Sequence, residues 1–446
     1  MKKILVLGAG LVSRPMVRYL LDVPDFEVTV ATRTVSKAQE LVAAHPRGKA
    51  IPLLVDDEAA LGRLVSESDL AVSLLPYTYH VKVASHCLKY RKPLVTTSYV
   101  SDAMRALDGQ AKAAGLIFLN EIGLDPGIDH MSAMKIIHDV QKAGGKVASF
   151  MSYCGGLPAP EANDNPLGYK FSWSPKGVVM AGRNDARYLK DGEEVSVPGA
   201  DLFGHRWPLK VAEGFEFEAY PNRNSLPYVE IYGLAGVKTM LRGTLRNFGW
   251  CATLKAIADL GVLKDDAVRT GIDSLTPAAW LRGYAPGSGA LRQDVAAKLG
   301  LNATDAILER FAWLGLFDEK PIDLQQGSNL DILAKQMLDR MTFKPRERDM
   351  VVLHHEFVAE KPQASSPKPQ AERIYSTLIA FGEPGGDSAM ARTVSLPAAI
   401  GVRMILHGEL KLTGVQIPVV TEIYEPVLAE LTRLGIECKE RTVPAA

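Results

Sequence analysis

The strongest constraint on the fold is an alternation of short β-branched segments with helix-like segments over residues 1–125. Helical periodicity occurs between the strand-like segments, at residues 13–21, 35–44 and 81–90. Strands separated by helices form crossover units whose strands pair in parallel. The sequence therefore predicts an α/β fold with a doubly wound parallel sheet. Its predicted strands are residues 4–7, 27–32, 51–55, 70–75, 94–97 and 117–120.

The rest of the chain has three different patterns. After a predicted helix at 131–142, turn-rich sequence separates predicted strands at 146–154, 215–220 and 228–232, which indicates a mixed sheet. Residues 246–342 are mainly helix-periodic, with predicted helices at 251–260, 291–299, 303–314 and 329–341. Two alternating segments, 349–358 and 372–381, predict a hairpin whose connection, 359–371, is rich in Pro, Lys, Gln and Ser and is predicted to be a long solvated loop. A further helix is predicted at 389–407.

Composition excludes several classes of function. The 446 residues carry no formal net charge, so no global field favours nucleic acid or an anionic membrane. The four cysteines are scattered singly and the histidines form no ligand array, so no metal site is expected. The N-terminus lacks the pattern of a signal peptide, and no later segment approaches about 18 uninterrupted apolar residues. We therefore expect a cytoplasmic protein with no membrane or nucleic-acid partner.

A glycine-rich turn follows the first predicted strand. Gly8 and Gly10 belong to a G-x-G-x-x-small pattern that ends at Ser13, where the first predicted helix begins. In dinucleotide-binding folds the first glycine allows the tight turn and the second lets the backbone approach the pyrophosphate. The small third residue lets the helix pack close to the strand, and its N-terminal amides bind the pyrophosphate. In this context the pattern predicts a Rossmann-type domain.

The residues after the second predicted strand indicate which dinucleotide binds. Enzymes that use NAD place an acidic residue there, on the ribose hydroxyls. This chain has Thr32, Arg33 and Thr34, with Lys37 a turn later. A guanidinium and two hydroxyls suit a phosphate dianion. The sequence therefore predicts NADP(H), and the alternative is that Arg33 is a solvated loop residue.

Longer motifs are spread over the middle of the chain. They are VTTSYV at 95–100, NEIGLDPGIDH at 120–130, SYCGGLPAP at 152–160, DNPLGYKFSWS at 164–174, YPNR at 220–223, RGTLR at 242–246 and ERDMV at 347–351. Together they resemble the saccharopine reductases, the glutamate-forming saccharopine dehydrogenases. The sequence departs from that family's pattern at Ala9, at Asn224 and in residues 414–420.

The resemblance implies a homodimer of three-domain chains that uses NADPH. The reaction would reduce the imine of L-glutamate and L-2-aminoadipate 6-semialdehyde to saccharopine, in lysine synthesis by the aminoadipate route. A Rossmann-type domain would comprise residues 1–127 and 388–446. A mixed α/β domain for substrate binding and dimerisation would comprise residues 128–245 and 343–387. Residues 246–342 would form a helical domain, and the substrate would lie between the first two domains.

Saccharopine carries three carboxylates, which planar guanidinium groups can hold in one pose. The resemblance implies that two arginines bind carboxylates and that four other residues add hydrogen bonds. The alternative for each arginine is a structural ion pair. The implied substrate-binding residues are Ser98, Tyr99, Asp125, Arg223, Thr244 and Arg246.

Imine reduction requires no covalent intermediate with the protein, because the cofactor supplies the hydride. Asp125 and Tyr99 follow parallel strands, at the edge where α/β sheets bind ligands. Cys154 is predicted to close a strand before Gly155 and Gly156, where a ligand could approach the backbone. Asp125, Tyr99 and Cys154 are therefore candidate catalytic residues. The alternatives are a turn cap, a packed ring and a buried thiol, with water moving the protons.

The remaining cofactor contacts are predicted from the same topology. The loops after the fourth and fifth strands are expected to line the nicotinamide, and Asp56 to approach the adenine side. Trp173 is predicted to cover the ring, with a core position as the alternative. The full predicted cofactor-binding set is Gly8, Gly10, Leu11, Val12, Thr32, Arg33, Thr34, Lys37, Asp56, Leu75, Pro76, Thr97, Ser98, Leu124, Asp125, Pro126 and Trp173.

Two other functions remain open at this point. A carboxynorspermidine-type dehydrogenase also reduces an imine, but its cationic polyamine would require acids where this chain has Arg223 and Arg246. A protein that senses NADP without turnover would keep the nucleotide fold and lose the chemistry.

Overall fold

The computed structural model describes residues 1–173, 175–263, 267–363 and 366–445. The chain forms two compact units. The first comprises Met1–Val147, Ala359–Ala371 and Leu378–Thr442, and the second comprises Ala148–Val358, Glu372–Thr377 and Val443–Ala446. The division into three domains remains a prediction.

Strands and helices alternate through the first part of the chain, as predicted. Its elements are β1 (Lys2–Leu7), α1 (Ser13–Asp22), β2 (Phe26–Thr32), α2 (Val35–Val42), β3 (Gly48–Pro52), α3 (Glu58–Ser66), β4 (Leu70–Ser73), α4 (His80–Tyr90), β5 (Leu94–Thr96), α5 (Asp102–Arg105), α6 (Asp108–Ala113), β6 (Ile117–Leu119) and α7 (Ile128–Lys142).

The middle of the chain begins with a strand-rich part. Its elements are β7 (Lys146–Pro158), α8 (Pro175–Ala181), β8 (Ala186–Lys190), β9 (Glu193–Val197), β10 (Trp207–Ala212), β11 (Phe215–Pro221), α9 (Tyr228–Ile231) and β12 (Thr239–Arg246). A mainly helical part follows, with α10 (Trp250–Asp259), β13 (Arg269–Thr270), α11 (Pro277–Arg282), α12 (Leu291–Leu299), α13 (Ala306–Trp313), β14 (Gln326–Gly327) and α14 (Asn329–Leu338).

The last part of the chain contributes to both large sheets. Its elements are β15 (Asp349–Gln363), β16 (Ser366–Phe381), α15 (Ala389–Leu406), β17 (Gly414–Gln416), α16 (Thr421–Arg433) and β18 (Lys439–Pro444). Short 3₁₀ helices at Tyr77–Tyr79, Pro160–Ala162 and Gly199–Gly204 complete the regular structure of the described residues.

The first sheet is seven-stranded, with the order β17-β6-β5-β4-β1-β2-β3, and its pairs are parallel. This is the doubly wound order, and β1 lies at its switch point between β2 and β4. Central strands are buried on both faces, which is why β1 and β4 are almost continuously apolar. The predicted Rossmann-type fold is confirmed.

The second sheet mixes strand directions, as predicted. Its main order is β10-β11-β12-β7-β15-β16-β18, and β8 and β9 extend it beside β12. Strand β12 pairs antiparallel with β11 and parallel with β7. Through these pairs Thr244 is opposite Tyr220 on one side and Cys154 on the other.

The predicted strand at 228–232 was wrong, because these residues contain the helix α9. Tyr228 and Tyr232 are four residues apart, and their rings pack together with centroids 5.4 Å apart. That spacing places them on one side of a helical turn. Pro227 precedes the turn, and its carbonyl accepts the backbone N–H of Ile231 at 3.1 Å.

The hairpin is present, but the prediction of a long solvated loop at 359–371 was wrong. Strand β15 continues to Gln363 and β16 begins at Ser366. Residues 364 and 365 lie outside the described ranges. Proline removes a backbone donor, yet Pro367 and Pro369 alternate, so the missing donors fall on one side of the strand. A hairpin can therefore continue through a sequence whose composition suggested a loop.

Both ends of the predicted third strand also differ from the structure. Strand β3 is Gly48–Pro52 rather than 51–55, and its register places Gly48 opposite Val28. As an edge strand β3 is only partly buried, so its apolar pattern is a weak guide to its ends.

Helix α15 is long and apolar enough to cross a membrane by length and composition alone, with a mean hydropathy of 1.3. Its environment gives a different interpretation, since 78% of it is buried within the protein. The helix contains Pro397 and packs against α1 and α16. Its burial and its packing against two helices are those of a helix in a protein core.

The turn before α7 is tightly constrained. Its Asp125–Pro126 peptide bond is cis, and Gly127 has φ +147°. The Gly123 amide donates to the Pro126 carbonyl at 2.9 Å, and the Asp129 carboxylate accepts the Gly127 amide at 2.6 Å. A Cβ atom on Gly127 would overlap the backbone of Gly123. Only glycine fits this position without moving the turn.

Replacing Gly127 with alanine should lower the free energy of unfolding by at least about 3 kcal/mol, because it adds backbone strain and overlap. Urea titration followed by fluorescence measures the change. The matched control is Gly109→Ala in α6, where nothing lies within 4 Å of the added Cβ. The control should change stability by no more than about 1 kcal/mol, and equal midpoints for the two variants would contradict the explanation.

Candidate active site

The carboxyl ends of β1, β2, β4, β5 and β6 lie along one edge of the first sheet. Parallel pairing requires this, because strands that run in one direction end on the same side. The turns beyond these ends carry most of the predicted cofactor residues. Those after β4, after β5 and before α7 are Leu75, Pro76, Thr97, Ser98, Leu124, Asp125 and Pro126.

The glycine-rich turn joins β1 to α1. Gly8 has φ +109°, and a Cβ there would be 3.0 Å from the Leu74 carbonyl oxygen, so the turn requires glycine. Gly10 is exposed, and nothing lies within 4 Å of its missing Cβ. The buried Ser13 hydroxyl accepts the Gly10 amide at 3.0 Å. Leu11 and Val12 complete the turn, and Leu11 is exposed. This geometry leaves open backbone beside a helix N-terminus, where a pyrophosphate fits.

The end of β2 carries free positive charge. Arg33 and Lys37 are exposed and form no ion pair with any residue in the described ranges. Helix α2 starts after Thr34, and no side chain caps it and no acidic residue lies in its first turn. Its first amides and two cations are therefore available to one anion. This arrangement fits the 2′-phosphate of NADP.

Asp56 lies beyond β3 and forms an ion pair with Lys82. Its carboxylate accepts from Lys82 at 2.8 Å, and Lys82 also contacts Glu58 at 3.2 Å. The Asp56 side chain is 76% exposed, so a ligand could reach it.

Two candidate catalytic residues are in direct contact. The Tyr99 hydroxyl donates to the Asp125 carboxylate at 2.8 Å, and both residues are partly exposed. The buried Glu121 fixes the turn that carries Tyr99, because its carboxylate accepts the Val100 amide at 2.9 Å. The other oxygen of Glu121 is 2.8 Å from Nε2 of the buried His130. This pair holds the two turns together.

A histidine that sequence analysis missed lies behind the same turn. His80 begins α4 and is 4% exposed. Its Nδ1 is 2.8 Å from the Ser73 hydroxyl, and its Nε2 is 2.8 Å from the Ser98 hydroxyl and 3.2 Å from that of Thr96. Burial lowers the pKa of His80 to about 4. A single histidine at a helix start carries no motif, so the sequence offered no signal.

In the second unit, one face of the mixed sheet carries three predicted residues. Thr244 and Arg246 are two apart on β12 and so point to the same side. Cys154 is paired with Thr244 across β7 and β12, which places it on that side too. These residues are brought together, whereas Arg223 belongs to the turn after β11.

The prediction that Cys154 closes a strand was wrong. Strand β7 continues to Pro158, and the space over Gly155 is filled by the neighbouring strand. A Cβ on Gly155 would be 2.8 Å from the Leu245 carbonyl oxygen. Glycine here therefore allows two strands to pack closely, and does not open the backbone to a ligand.

Arg246 is a buried cation that has no counter-ion in the described part of the chain. It is 6% exposed, its Nε has no hydrogen-bond partner, and it forms no ion pair with any described residue. Its guanidinium lies 5.0 Å from the centre of the Tyr169 ring and 5.5 Å from that of Trp250. Glu218 is opposite Arg246 in the strand register, but its carboxylate pairs with Arg206 at 3.0 Å.

Three ionisable side chains near Arg246, those of Tyr220, Tyr169 and Cys251, are neutral at physiological pH. Burial raises the pKa of Tyr220 to about 12 and raises that of Tyr169. Burial, followed by the charge of Glu218, raises the pKa of the Cys251 thiol. None of these three groups compensates the positive charge, and no other described residue forms an ion pair with it. A buried charge of this kind is strongly destabilising unless an anion binds beside it.

The other two predicted residues of this unit are more exposed. Arg223 has φ +54°, and its carbonyl accepts the Arg187 amide at 2.9 Å. Trp173 is partly exposed. In the described part of the chain no group of three His, Cys, Asp or Glu residues could hold a metal ion.

Comparison with known proteins identifies the family. A family model described as the saccharopine dehydrogenase NADP binding domain matches residues 4–119. A second, described as the saccharopine dehydrogenase C-terminal domain, matches residues 123–436.

Individual relatives extend over the whole chain. The NADP-dependent, L-glutamate-forming saccharopine dehydrogenase of Saccharomyces cerevisiae is 43% identical over 99% of each chain. The corresponding enzyme of Pyricularia oryzae is 42% identical over 99% of each chain. The mitochondrial alpha-aminoadipic semialdehyde synthase of Mus musculus is 38% identical over 98% of this chain, which spans 47% of that longer protein. A solved structure of the apo S. cerevisiae enzyme has a TM-score of 0.88 at 42% identity, covering 99% of this chain and 100% of the other.

The low pKa of His80 predicts a pH-dependent stability. The folded state binds this proton only near pH 4, whereas the unfolded chain binds it near 6.5. His80 therefore does not reduce stability above pH 6.5, and stability is lost as the pH falls from 6.5 towards 4. The loss should reach on the order of 3 kcal/mol.

The measurement is the difference in unfolding free energy between wild type and His80→Asn, taken from urea titrations at pH 7 and pH 4.5. Other titrating groups cancel in this difference. The variant should gain stability relative to wild type at the lower pH. A difference that is the same at both values would show that His80 titrates normally in the folded protein.

Proposed function

The chain belongs to the saccharopine dehydrogenase family, and we propose that it is the NADP-dependent, L-glutamate-forming enzyme. This oxidoreductase acts on a CH–NH bond and reduces the imine of L-glutamate and L-2-aminoadipate 6-semialdehyde to saccharopine. The reverse reaction consumes saccharopine and NADP. The observation in the structure that best supports this substrate class is Arg246, a buried cation with no counter-ion in the described chain.

The cofactor is NADP(H), and the turns at the edge of the first sheet fit it. We assign the pyrophosphate to the turn that contains Gly8 and Gly10, where backbone lies open beside α1. We assign the 2′-phosphate to Arg33 and Lys37, together with the uncapped start of α2. The bound cofactor supplies the hydride, and the chain's own residues bind and orient the reactants.

The substrate carboxylates are assigned to the two arginines. Arg246 stands between aromatic rings that fix its plane, and its Nε is free to donate. A carboxylate beside this group would neutralise a charge that the fold leaves uncompensated. Arg223 is exposed at the turn after β11 and is proposed to bind a second carboxylate. Thr244 shares the face of Arg246 and is proposed to donate a hydrogen bond.

Proton transfer is assigned first to the hydrogen-bonded pair of Tyr99 and Asp125. Loss of water from the carbinolamine requires a proton on the departing hydroxyl, and the pair can hold a proton at the Asp125 carboxylate. Cys154, on the same sheet face as Arg246, is the other candidate. Ser98 is proposed to hold a substrate carboxylate by a hydrogen bond.

The comparisons do not favour the alternatives, a carboxynorspermidine-type dehydrogenase or a sensor that binds NADP without turnover. A polyamine substrate would also leave the Arg246 charge uncompensated. We further propose that the enzyme is a cytoplasmic homodimer that acts in lysine synthesis by the aminoadipate route.

The function is tested by following NADPH absorbance with purified protein. NADPH should be consumed only when L-glutamate and the semialdehyde are both present, and saccharopine with NADP should restore it. NADH should be a poor substitute, and Arg33→Ala should raise the NADPH Michaelis constant by about tenfold or more, as expected for a lost charge-assisted bond. The matched control is Arg63→Ala, an exposed arginine of α3 that pairs with Glu67. Cofactor binding without turnover in either direction would favour the sensor.

Replacing Arg246 with methionine separates a substrate ligand from a structural cation. Because Arg246 has no counter-ion among the residues that the structure describes, the change should leave the ligand-free protein as stable as wild type or more stable. The Michaelis constant for saccharopine should rise by about 100-fold, since a charged hydrogen bond contributes roughly 1.5–3 kcal/mol. Steady-state kinetics and urea unfolding together give the answer. Lower stability with an unchanged constant would assign Arg246 to the fold.

A further inference from the structure

His80 lies in a pocket of hydroxyl groups at the carboxyl ends of β4 and β5. Three hydroxyls contact its ring, those of Ser73, Thr96 and Ser98, at distances of 2.8 to 3.2 Å. Among the residues that the structure describes, no carboxylate contacts the ring. Burial keeps the pKa of His80 near 4, so the ring is uncharged at neutral pH. A neutral imidazole has one nitrogen that donates and one that accepts.

The environment of Ser73 indicates which nitrogen carries the proton. Ser73 is fully buried, and its hydroxyl has a single partner in the described chain, Nδ1 of His80. If Nδ1 carried the proton, the Ser73 hydrogen would be buried without an acceptor, which is costly. Thr96 is engaged twice, since its oxygen also accepts the Ser98 amide at 3.4 Å. The His80 ring is therefore protonated at Nε2. Because Nε2 lies closer to the Ser98 hydroxyl (2.8 Å) than to that of Thr96 (3.2 Å), it donates to Ser98.

This tautomer determines the direction of the Ser98 hydroxyl. Its oxygen accepts from His80, so its hydrogen points away from the ring. The Ser98 carbonyl is fixed as well, because it accepts the Glu121 amide at 3.2 Å. Ser98 is partly exposed, whereas the groups behind it are buried. Ser98 is held at both ends as a hydrogen-bond donor at the ligand-binding edge of the sheet.

We propose that His80 is a positioning residue that fixes the Ser98 hydroxyl as a donor to a carboxylate of the amino-acid substrate. A carboxylate is the acceptor that a preset hydroxyl binds most strongly. The proposal rests on the proposed function, because that function supplies the carboxylate. His80 itself touches no reactant and moves no proton in the reaction.

Two substitutions at His80 distinguish its two hydrogen bonds. The side-chain amide of asparagine reaches the position of Nδ1, whereas that of glutamine reaches the position of Nε2. His80→Gln therefore keeps a donor for Ser98, and His80→Asn keeps a partner for Ser73 only. A purely structural histidine would make both variants lose activity in proportion to their loss of stability.

The kinetic test uses the full-length enzyme with saccharopine and NADP. His80→Asn and Ser98→Ala should each raise the Michaelis constant for saccharopine about tenfold, as for one lost hydrogen bond to a charged group. The double variant should be no worse than either single variant, because both remove the same bond. His80→Gln should rescue the constant to within about threefold of wild type. The dissociation constant for NADPH, measured by fluorescence, should be unchanged in the two His80 variants. For Ser98→Ala it shows whether Ser98 contacts the cofactor, as the sequence also predicts, or only the substrate.

Three results would overturn the proposal. One is equal impairment of His80→Gln and His80→Asn that follows their urea midpoints. Another is additive losses in the double variant. The third is a change in the dissociation constant for NADPH with an unchanged Michaelis constant for saccharopine, which would assign Ser98 to the cofactor.

A ligand-free measurement separates this proposal from the proposed function. Nitrogen-15 NMR of histidine-labelled apoenzyme, with His80→Asn to assign the signal, reports which nitrogen carries the proton. The expected state is neutral and protonated at Nε2, and protonation at Nδ1 would contradict the proposal. If wild type does not turn over saccharopine, the proposed function fails, while this spectrum still decides how His80 holds Ser98.

Discussion

Parallel pairing of β1 with both β2 and β4 is the constraint on which the rest of the first unit depends. It collects the carboxyl ends of the central strands along one edge and leaves the loops beyond them free to carry chemistry. The glycine-rich turn, the cations after β2 and the turns of Ser98 and Asp125 all lie beyond such strand ends. Residues that are far apart in sequence thereby lie along the edge where we propose that the dinucleotide binds.

Charge compensation determines what each unit can bind. Most charged side chains near the turns are paired, as Asp56 is with Lys82 and Glu121 with His130. Arg33 and Arg246 differ, because neither has a counter-ion in the described chain. Exposure makes a free charge inexpensive at Arg33, whereas at Arg246 the charge is buried between two rings and calls for an anionic ligand. One free cation suits the cofactor phosphate and the other a substrate carboxylate.

The sequence could predict the first sheet because buried parallel strands are almost continuously apolar and the glycine turn has a strict spacing. It could not predict α9, where two tyrosines four apart looked like a strand until their rings were seen to pack. Composition also misled at 359–371, since backbone pairing in a hairpin does not depend on apolar side chains. His80 was missed for a different reason. Its ring contacts hydroxyls carried by two neighbouring strands, and no local sequence pattern predicts contacts between separate segments of the chain.

We propose that Arg33 and Arg246, which have no counter-ion among the described residues, bind the anionic groups of NADP and saccharopine. The most direct measurement is a crystal structure of the protein with both ligands bound. We expect the 2′-phosphate to contact Arg33, and a saccharopine carboxylate to lie within hydrogen-bond distance of the Arg246 guanidinium. A structure in which Arg246 turns to a protein carboxylate while saccharopine binds elsewhere would contradict it.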